Sequence, residues 1–246
     1  MTIKTKKTET LNRENSPDYL GRLPILYEDD EEGDLGESNP HVVSDEVLHI
    51  CLMAHFAASA EIQVFSNMNF YYLDPKATTL RPLPYVSPDT MVVKPYQRLP
   101  ENISSYQIGR DGPAPVAVVE ILSERSAQQR DLEEKVTLYA ALGIEEYLLV
   151  DVSGKFLSQK LLLKRLQSNG TWQDKRDNDG GITSTLGFRL QIDPAGRLVV
   201  LNADSGKAYV RPAEAENRVR GAEKRAQDLE GEIVRLRQLL HEKQNP

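Results

Sequence analysis

The chain has 246 residues, of which 39% are hydrophobic and 27% charged, and its formal net charge is −7 at pH 7. This length supports one sizeable domain with appendages, or two small domains. The single cysteine, Cys51, excludes an intramolecular disulfide and a cysteine-rich zinc site. No segment approaches the ~18 uninterrupted apolar residues of a membrane span, and the polar N-terminal stretch lacks a signal-peptide core. We therefore expect a soluble, cytoplasmic protein.

An acidic block dominates residues 1–38, which we predict to be a flexible N-terminal segment. Its seven acids are Glu28, Asp29, Asp30, Glu31, Glu32, Asp34 and Glu37. Without them the rest of the chain is neutral, so the negative total is weak evidence against nucleic-acid binding. The pattern is typical of a solvated acidic linker. The alternative is a mobile anionic segment that competes with nucleic acid for a basic cleft.

Ordered structure is expected to begin at Asn39, which can cap a helix, with Pro40 in the first turn. Apolar residues then recur at helical spacing and predict a helix that runs to about Ala60. The stretch EIQVFSNMNFYYLD that follows is consistent with one long or two short strands. A further strand is predicted from Val86 to Val93.

A strand–helix–strand unit is predicted next. Residues 117–122 form an apolar run typical of a strand covered on both faces. A helix with the apolar spacing of Leu132 and its successors follows and should stop at Gly143, and residues 146–152 form another buried strand. We expect the two strands to be parallel. Short strands beyond Gly154 suggest a β-extension packed beside the main sheet, and residues 39–205 are interpreted as one α/β domain with a mixed sheet.

The C-terminal stretch 212–243 has the pattern of a coiled-coil helix. Apolar residues alternate at spacings of four and three at Ala215, Val219, Ala222, Ala226, Leu229, Ile233, Leu236 and Leu240. In a parallel dimer three flanking pairs of opposite charge would meet across the two chains, namely Arg218 with Glu223, Arg225 with Glu230 and Glu232 with Arg237. We expect a homodimer through residues 212–243. The alternative is one amphipathic helix that folds back on the domain.

Two acids and a lysine suggest a catalytic site. Asp89 opens the apolar run PDTMVV, and Glu120 lies near the end of its strand. Mg²⁺ prefers oxygen ligands and keeps several waters, so one or two carboxylates and a phosphate are enough to anchor it. Lys135 lies at the edge of the apolar stripe of its helix, from where its long stem can reach the strand ends. Each residue alone is typical of a surface charge, and Asp131 with Lys135 of an ordinary helical ion pair, but the joint pattern predicts metal-dependent phosphodiester cleavage.

The same segments resemble a known family. PDTMVV, VVEILS, RDLEEKVTLYAALGIEEYLLVD and ESNPH are similar to the Uma-type family of putative restriction endonucleases, within the PD-(D/E)xK nuclease superfamily. The similarity covers about residues 20–205, and a charged helical tail such as 212–243 is frequent in such proteins. The resemblance implies a restriction-endonuclease-like mixed β-sheet core flanked by helices.

The resemblance also implies site residues. Asp89 and Glu120 correspond to the metal-binding acids, for Mg²⁺ or Mn²⁺. In the superfamily's plain motif a lysine stands two residues after the second acid, where this chain has Leu122. The resemblance implies that Lys135 substitutes for it from the following helix. Asp151 is expected to be structural.

An additional acid from the first helix often completes sites of this superfamily. Glu46 is the candidate here because it flanks the apolar stripe, with Glu61 as the alternative. His41 and His49 share the same region and are expected to cap or pack rather than bind metal. Tyr139 is expected to pack beneath the second helix.

The sequence therefore predicts a Mg²⁺-dependent endonuclease that acts on DNA, with Asp89, Glu120, Lys135 and Glu46 as its catalytic residues. The principal alternative is a catalytically inactive protein that retains the nuclease fold and assembles with partners through its coiled coil. A third possibility is a nuclease for RNA or branched DNA.

Overall fold

The computed structural model describes residues 39–73, 79, 81–123 and 127–244. The predicted segment 1–38 with its acidic block lies outside these residues. The chain divides into two compact units, Met1–Tyr209 and Val210–Pro246, which are treated separately below.

The first unit contains two α-helices and twelve strands among its described residues. The helices are α1 (Asn39–His55) and α2 (Lys135–Leu142), and the strands are β1 (Gln63–Ser66), β2 (Asn69–Tyr71), β3 (Tyr85–Val86), β4 (Thr90–Val93), β5 (Ser105–Gln107), β6 (Ala117–Ile121), β7 (Glu146–Val150), β8 (Leu161–Leu166), β9 (Trp172–Lys175), β10 (Ile182–Thr183), β11 (Phe188–Ile192) and β12 (Leu198–Asn202). The α/β class is confirmed. Helix α1 ends earlier than predicted, and turns lead from it toward β1, where the Ser59 hydroxyl accepts the N–H of Ile62.

A six-stranded mixed sheet in the order β1-β4-β6-β7-β8-β9 forms the centre of this unit. Strands β6 and β7 are parallel, as predicted, and the other neighbours are antiparallel. The predicted β-extension is only partly correct. Strands β8 and β9 continue the central sheet, because β8 turns back and pairs with β7 along five residues, whereas β10, β11 and β12 form a separate three-stranded sheet.

The two faces of the central sheet bury different cores. Successive side chains of a strand point to opposite faces, and in β6 Val119 and Ile121 join the core that contains Leu48 and Leu52 of α1. Val118 and Leu122 join the other core, together with Leu138 of α2. Glu120 therefore points toward the face covered by α2.

Helix α2 is preceded by a π-helical segment, Ala127–Glu134, which the sequence did not predict. Short π-helical turns occur mostly within α-helices and often lie at functional sites. The predicted stop at Gly143 is confirmed: this residue has φ +77°, and its N–H donates to the carbonyl of Ala140. The single cysteine, Cys51, is buried in α1.

The second unit contains helix α3 (Pro212–Gln244). Four side chains of the predicted seam, Val219, Leu229, Ile233 and Leu236, are exposed on it. The coiled-coil dimer stays a prediction. Within the described parts of the chain no helix is both long and apolar enough to cross a membrane.

Candidate active site

Asp89 and Glu120 lie side by side on one face of the central sheet. Strand β4 pairs antiparallel with β6, with Thr90 opposite Val119, and this register continued by one residue sets Asp89 opposite Glu120. A second contact fixes the pair, since Oδ2 of Asp89 accepts the backbone N–H of Ile121 at 2.5 Å. The sheet itself therefore brings together the two acids that the sequence singled out.

Lys135 reaches this pair from the first turn of α2. Its Nζ lies 3.0 Å from Oε1 of Glu120 and 3.0 Å from Oδ1 of Asp131. All three side chains are buried, with exposed fractions of 5% for Lys135, 2% for Glu120 and 1% for Asp131. Because the π-helical segment carries Asp131 and ends directly before Lys135, its path sets where the ammonium group meets the sheet.

Burial shapes the electrostatics of this cluster. It raises the pKa of Glu120 to about 8, and the negative charges of Asp131 and Asp89 add to the rise while Lys135 opposes it. Burial by itself would lower the pKa of Lys135, but the two neighbouring carboxylates outweigh it and raise that pKa. Lys135 therefore stays charged at neutral pH.

Two buried tyrosines complete this side of the site. The hydroxyl of Tyr139 donates to Oε1 of Glu120 at 2.9 Å, and the hydroxyl of Tyr147 donates to the backbone carbonyl of Asp131 at 2.9 Å. Burial raises the pKa of both phenols well above the ordinary value, so both stay protonated and able to donate. Sequence reasoning expected only packing from Tyr139. Its spacing of four residues after Lys135 was the available signal, because that spacing puts both side chains on one helix face.

Helix α1 contributes Asp45 to the strand ends, rather than the predicted Glu46. Glu46 is exposed. Asp45 is half-buried and accepts hydrogen bonds from the hydroxyl of Ser66 at 3.1 Å and from Nδ2 of Asn67 at 2.8 Å. Burial, and secondarily the charge of Asp89, raise its pKa to about 6.

His41, one turn earlier on α1, also faces the acids. Its Nε2 lies 3.5 Å from Oδ1 of Asp89. His49, about two turns further along α1, is half-buried, and burial lowers the pKa of its imidazole. The alternative acid, Glu61, is exposed. Among these α1-region residues, His41 therefore contacts Asp89 directly, and Asp45 is affected by the charge of Asp89.

Leu122, where the plain motif would have lysine, is an apolar core residue. Its side chain is 5% exposed and shares the core on the α2 face. Asp151, at the end of β7, accepts hydrogen bonds from the Ser153 hydroxyl and from the backbone N–H groups of Gly154, Phe156 and Leu157. Asp151 thus organises the loop that follows β7, in line with the structural role expected of it.

The donor set can be compared with what a divalent cation needs. Among the residues that the structure describes, no group of three or more His, Cys, Asp or Glu side chains could hold a metal ion alone. Mg²⁺ does not require such a cage, because it keeps several waters and binds through one or two carboxylates and substrate oxygens. Asp89 and Glu120 supply that pair on one face. Burial, and secondarily the charges of Asp131 and Asp89, raise the pKa of Glu120, and a bound cation would favour the ionised carboxylate.

The domain has a mixed β-sheet flanked by helices, with two acids and a lysine on one face of the sheet. This is the architecture of a restriction-endonuclease-like protein. The chain belongs to the Uma2 family, described as "Putative restriction endonuclease", whose pattern matches residues 37–195. The family resemblance noted from the sequence is thereby confirmed. Among curated proteins, none matches the chain.

A solved structure with a similar fold is that of a "putative nuclease belonging to DUF820" from Anabaena variabilis. The two chains share 14% sequence identity and superpose with a TM-score of 0.45. The match covers 68% of this chain and 88% of the other.

Proposed function

We propose that the protein is a Mg²⁺-dependent endonuclease that hydrolyses phosphodiester bonds of DNA. One observation carries the proposal: Asp89, Glu120 and Lys135, which are distant in sequence, meet on one face of the central sheet, with the ammonium of Lys135 3.0 Å from Oε1 of Glu120. Membership of a family described as "Putative restriction endonuclease" supports the same activity.

Each residue has a role in this proposal. Asp89 and Glu120 would hold the cation, which when bound lowers the pKa of a water and polarises the phosphate. Lys135 holds positive charge beside Glu120 in a buried setting, where charge stabilisation is stronger than in water. The ammonium would neutralise negative charge that develops on the phosphate oxygens.

The additional acid of the site is proposed to be Asp45 in place of Glu46. Its carboxylate is oriented by Ser66 and Asn67 and is affected by the charge of Asp89. With a pKa of about 6, this group can exchange a proton near neutral pH, which suits general acid–base work.

A dimer would suit this activity. We propose that residues 212–243 pair in parallel with those of a second copy through the apolar seam, and several seam side chains are exposed on α3. Two-fold symmetry would then supply two active sites, one for each strand of a duplex.

DNA cleavage assays with matched variants test the proposal. Supercoiled plasmid and single-stranded circles, incubated with the protein and Mg²⁺ or Mn²⁺, should be nicked or linearised. Asp89→Asn and Glu120→Gln should abolish cleavage, while Glu46→Gln, a charge change on the exposed part of α1, should leave it near the wild-type rate. Cleavage that survives both acid variants would remove the site assignment.

Two observations support a second candidate function. Leu122 occupies the position of the plain motif's lysine, and the ammonium of Lys135 is shared with Asp131, which is compatible with an inactive nuclease fold that serves as an assembly module. RNA and branched DNA are added to the substrates so that a nuclease of another specificity is not mistaken for an inactive protein. If the protein cleaves none of these substrates and binds no Mn²⁺ in calorimetry, the assembly module is favoured over the nuclease.

A further inference from the structure

Two donors converge on one oxygen of Glu120. Its Oε1 accepts the hydroxyl of Tyr139 at 2.9 Å and lies 3.0 Å from Nζ of Lys135. Lys135 and Tyr139 are one turn apart on α2, so a single face of this helix approaches a single atom of the acid. A carboxylate has two oxygens, and contacts that fix one of them restrict the rotation of the whole group.

Lys135 is poorly suited to fix Glu120 by itself. Its ammonium is divided between Glu120 and Asp131, at 3.0 Å from each. A lysine side chain also has four rotatable bonds and a donor group that can turn. The charge of Lys135 therefore attracts the carboxylate without defining its orientation.

Tyr139 has the rigidity that Lys135 lacks. Its side chain is fully buried, and its ring packs edge to face against the ring of Tyr147 with centroids 5.0 Å apart. The hydroxyl of Tyr147 is bonded to the carbonyl of Asp131, and Nε1 of Trp172 donates to the carbonyl of Val136 at 2.9 Å. These contacts anchor the π-helical segment and the start of α2 to the sheet, and with them the phenol that holds Glu120.

We propose that Tyr139 is a positioning residue, whose hydroxyl orients the Glu120 carboxylate for cation binding. The proposal rests on the function proposed above and deepens it. Partners that orient a metal ligand typically change metal affinity or activity by about 10- to 100-fold when they are removed. Tyr139 is thus assigned a role in the site beyond packing beneath α2.

The chain offers a matched control in Tyr106 of β5. Tyr139→Phe and Tyr106→Phe each remove one hydroxyl from a buried ring, but the first donates to a carboxylate of the site and the second to the backbone carbonyl of Pro113. Calorimetric titration of the full-length protein with Mn²⁺ should give a dissociation constant about tenfold higher for Tyr139→Phe and a nearly unchanged one for Tyr106→Phe. In plasmid cleavage, Tyr139→Phe should lower kcat and leave the KM for DNA near the wild-type value.

The outcomes distinguish a failure of the Tyr139 proposal from a failure of the proposed nuclease function. If the wild-type protein neither binds Mn²⁺ nor cleaves DNA, the nuclease assignment fails. If the wild type does both and the two variants shift Mn²⁺ affinity equally, or neither shifts it, Tyr139 only packs and its positioning role is wrong. Should Tyr139→Phe not fold, a fluorinated tyrosine at position 139 keeps the shape and strengthens the donor. It should change Mn²⁺ affinity, whereas the same residue at position 106 should not; equal effects would overturn the proposal.

Discussion

The ammonium group of Lys135 lies 3.0 Å from Oε1 of Glu120, across the contact between α2 and β6. Leu122, two residues after Glu120, is apolar. The positive charge beside Glu120 therefore comes from helix α2 and not from strand β6. Both residues are almost completely buried, so this contact matters for stability as well as for the proposed chemistry.

Lys135→Met should destabilise the fold strongly. Removal of one partner from a buried ion pair leaves an uncompensated charge and typically costs about 3–5 kcal/mol of unfolding free energy. Lys164→Met is the matched control, because Nζ of Lys164 lies 2.9 Å from the exposed carboxylate of Asp174. Surface pairs contribute about 0–1 kcal/mol. Urea denaturation measures the free energy of unfolding of both variants. Similar losses in the two variants would contradict a stabilising role of the buried Lys135–Glu120 contact.

Asp89→Asn should abolish Mn²⁺ binding while the fold survives. The amide oxygen can still accept the N–H of Ile121, but the ligand charge is lost. Asp151→Asn is the control: it weakens hydrogen bonds to a charged acceptor, and removal of such a bond costs about 1.5–3 kcal/mol. We expect Asp151→Asn to lower unfolding free energy and keep the calorimetric Mn²⁺ signal. Loss of that signal in both variants would mean that Asp89 acts through the fold alone.

Asp45 should make the stability of the metal-free protein depend on pH. Burial, followed by the charge of Asp89, raises its pKa from 3.8 to about 6, so the folded state holds this proton more tightly than the unfolded state. The resulting stabilisation is complete below pH 3.8 and is lost as the pH rises through about 6. Asp45→Asn mimics the protonated form and should therefore gain stability relative to wild type over that interval.

Urea unfolding curves at pH 4, 5 and 6.5 measure this gain for Asp45→Asn. Glu46→Gln changes the same charge at the adjacent, exposed position and controls for the overall charge of α1. A constant difference between Asp45→Asn and wild type at all three pH values would show that the Asp45 carboxylate does not titrate as described.

Charge reversal tests the proposed parallel coiled coil. In the dimer Arg225 faces Glu230 of the second copy, so Arg225→Glu creates two repulsive contacts per dimer. At up to about 1 kcal/mol for each of the two contacts, dimerisation should weaken by up to about 30-fold. Combining it with Glu230→Arg should restore the affinity by re-pairing opposite charges. Sedimentation equilibrium measures both, and a monomeric wild-type protein would contradict the dimer.

The sequence predicted the centre of the fold well. Continuous apolar runs at β6 and β7, separated by a helical pattern that ends at Gly143, specify a parallel pair with little ambiguity. Strands β8 and β9 were placed beside the sheet instead of in it, because their partly polar sequences do not reveal which neighbour they pair with. Such pairing is decided by contacts distant along the chain.

The site was predictable only in part. The apolar patterns of the strands and of helix α2 locate Asp89, Glu120 and Lys135, because these residues lie near the ends of those elements. Asp45, which we propose as the additional acid, was not distinguished from Glu46 in the sequence, because adjacent helix positions differ by only about 100° and the orientation of α1 depends on how it packs. The hydroxyl contact of Tyr139 was missed because an apolar stripe predicts burial and does not reveal which polar group the buried ring will meet.

The bond between Asp89 and the backbone of Ile121 has a consequence for how this chain can vary. A one-residue insertion within β4 would turn Asp89 to the opposite face of the sheet. Two inserted residues would restore the face but move the acid by roughly 6–7 Å along the strand, beyond reach of Glu120. Length changes can therefore accumulate in the connecting loops but not between Asp89 and Val93, and strand length here is as strict a requirement as the identity of the acids.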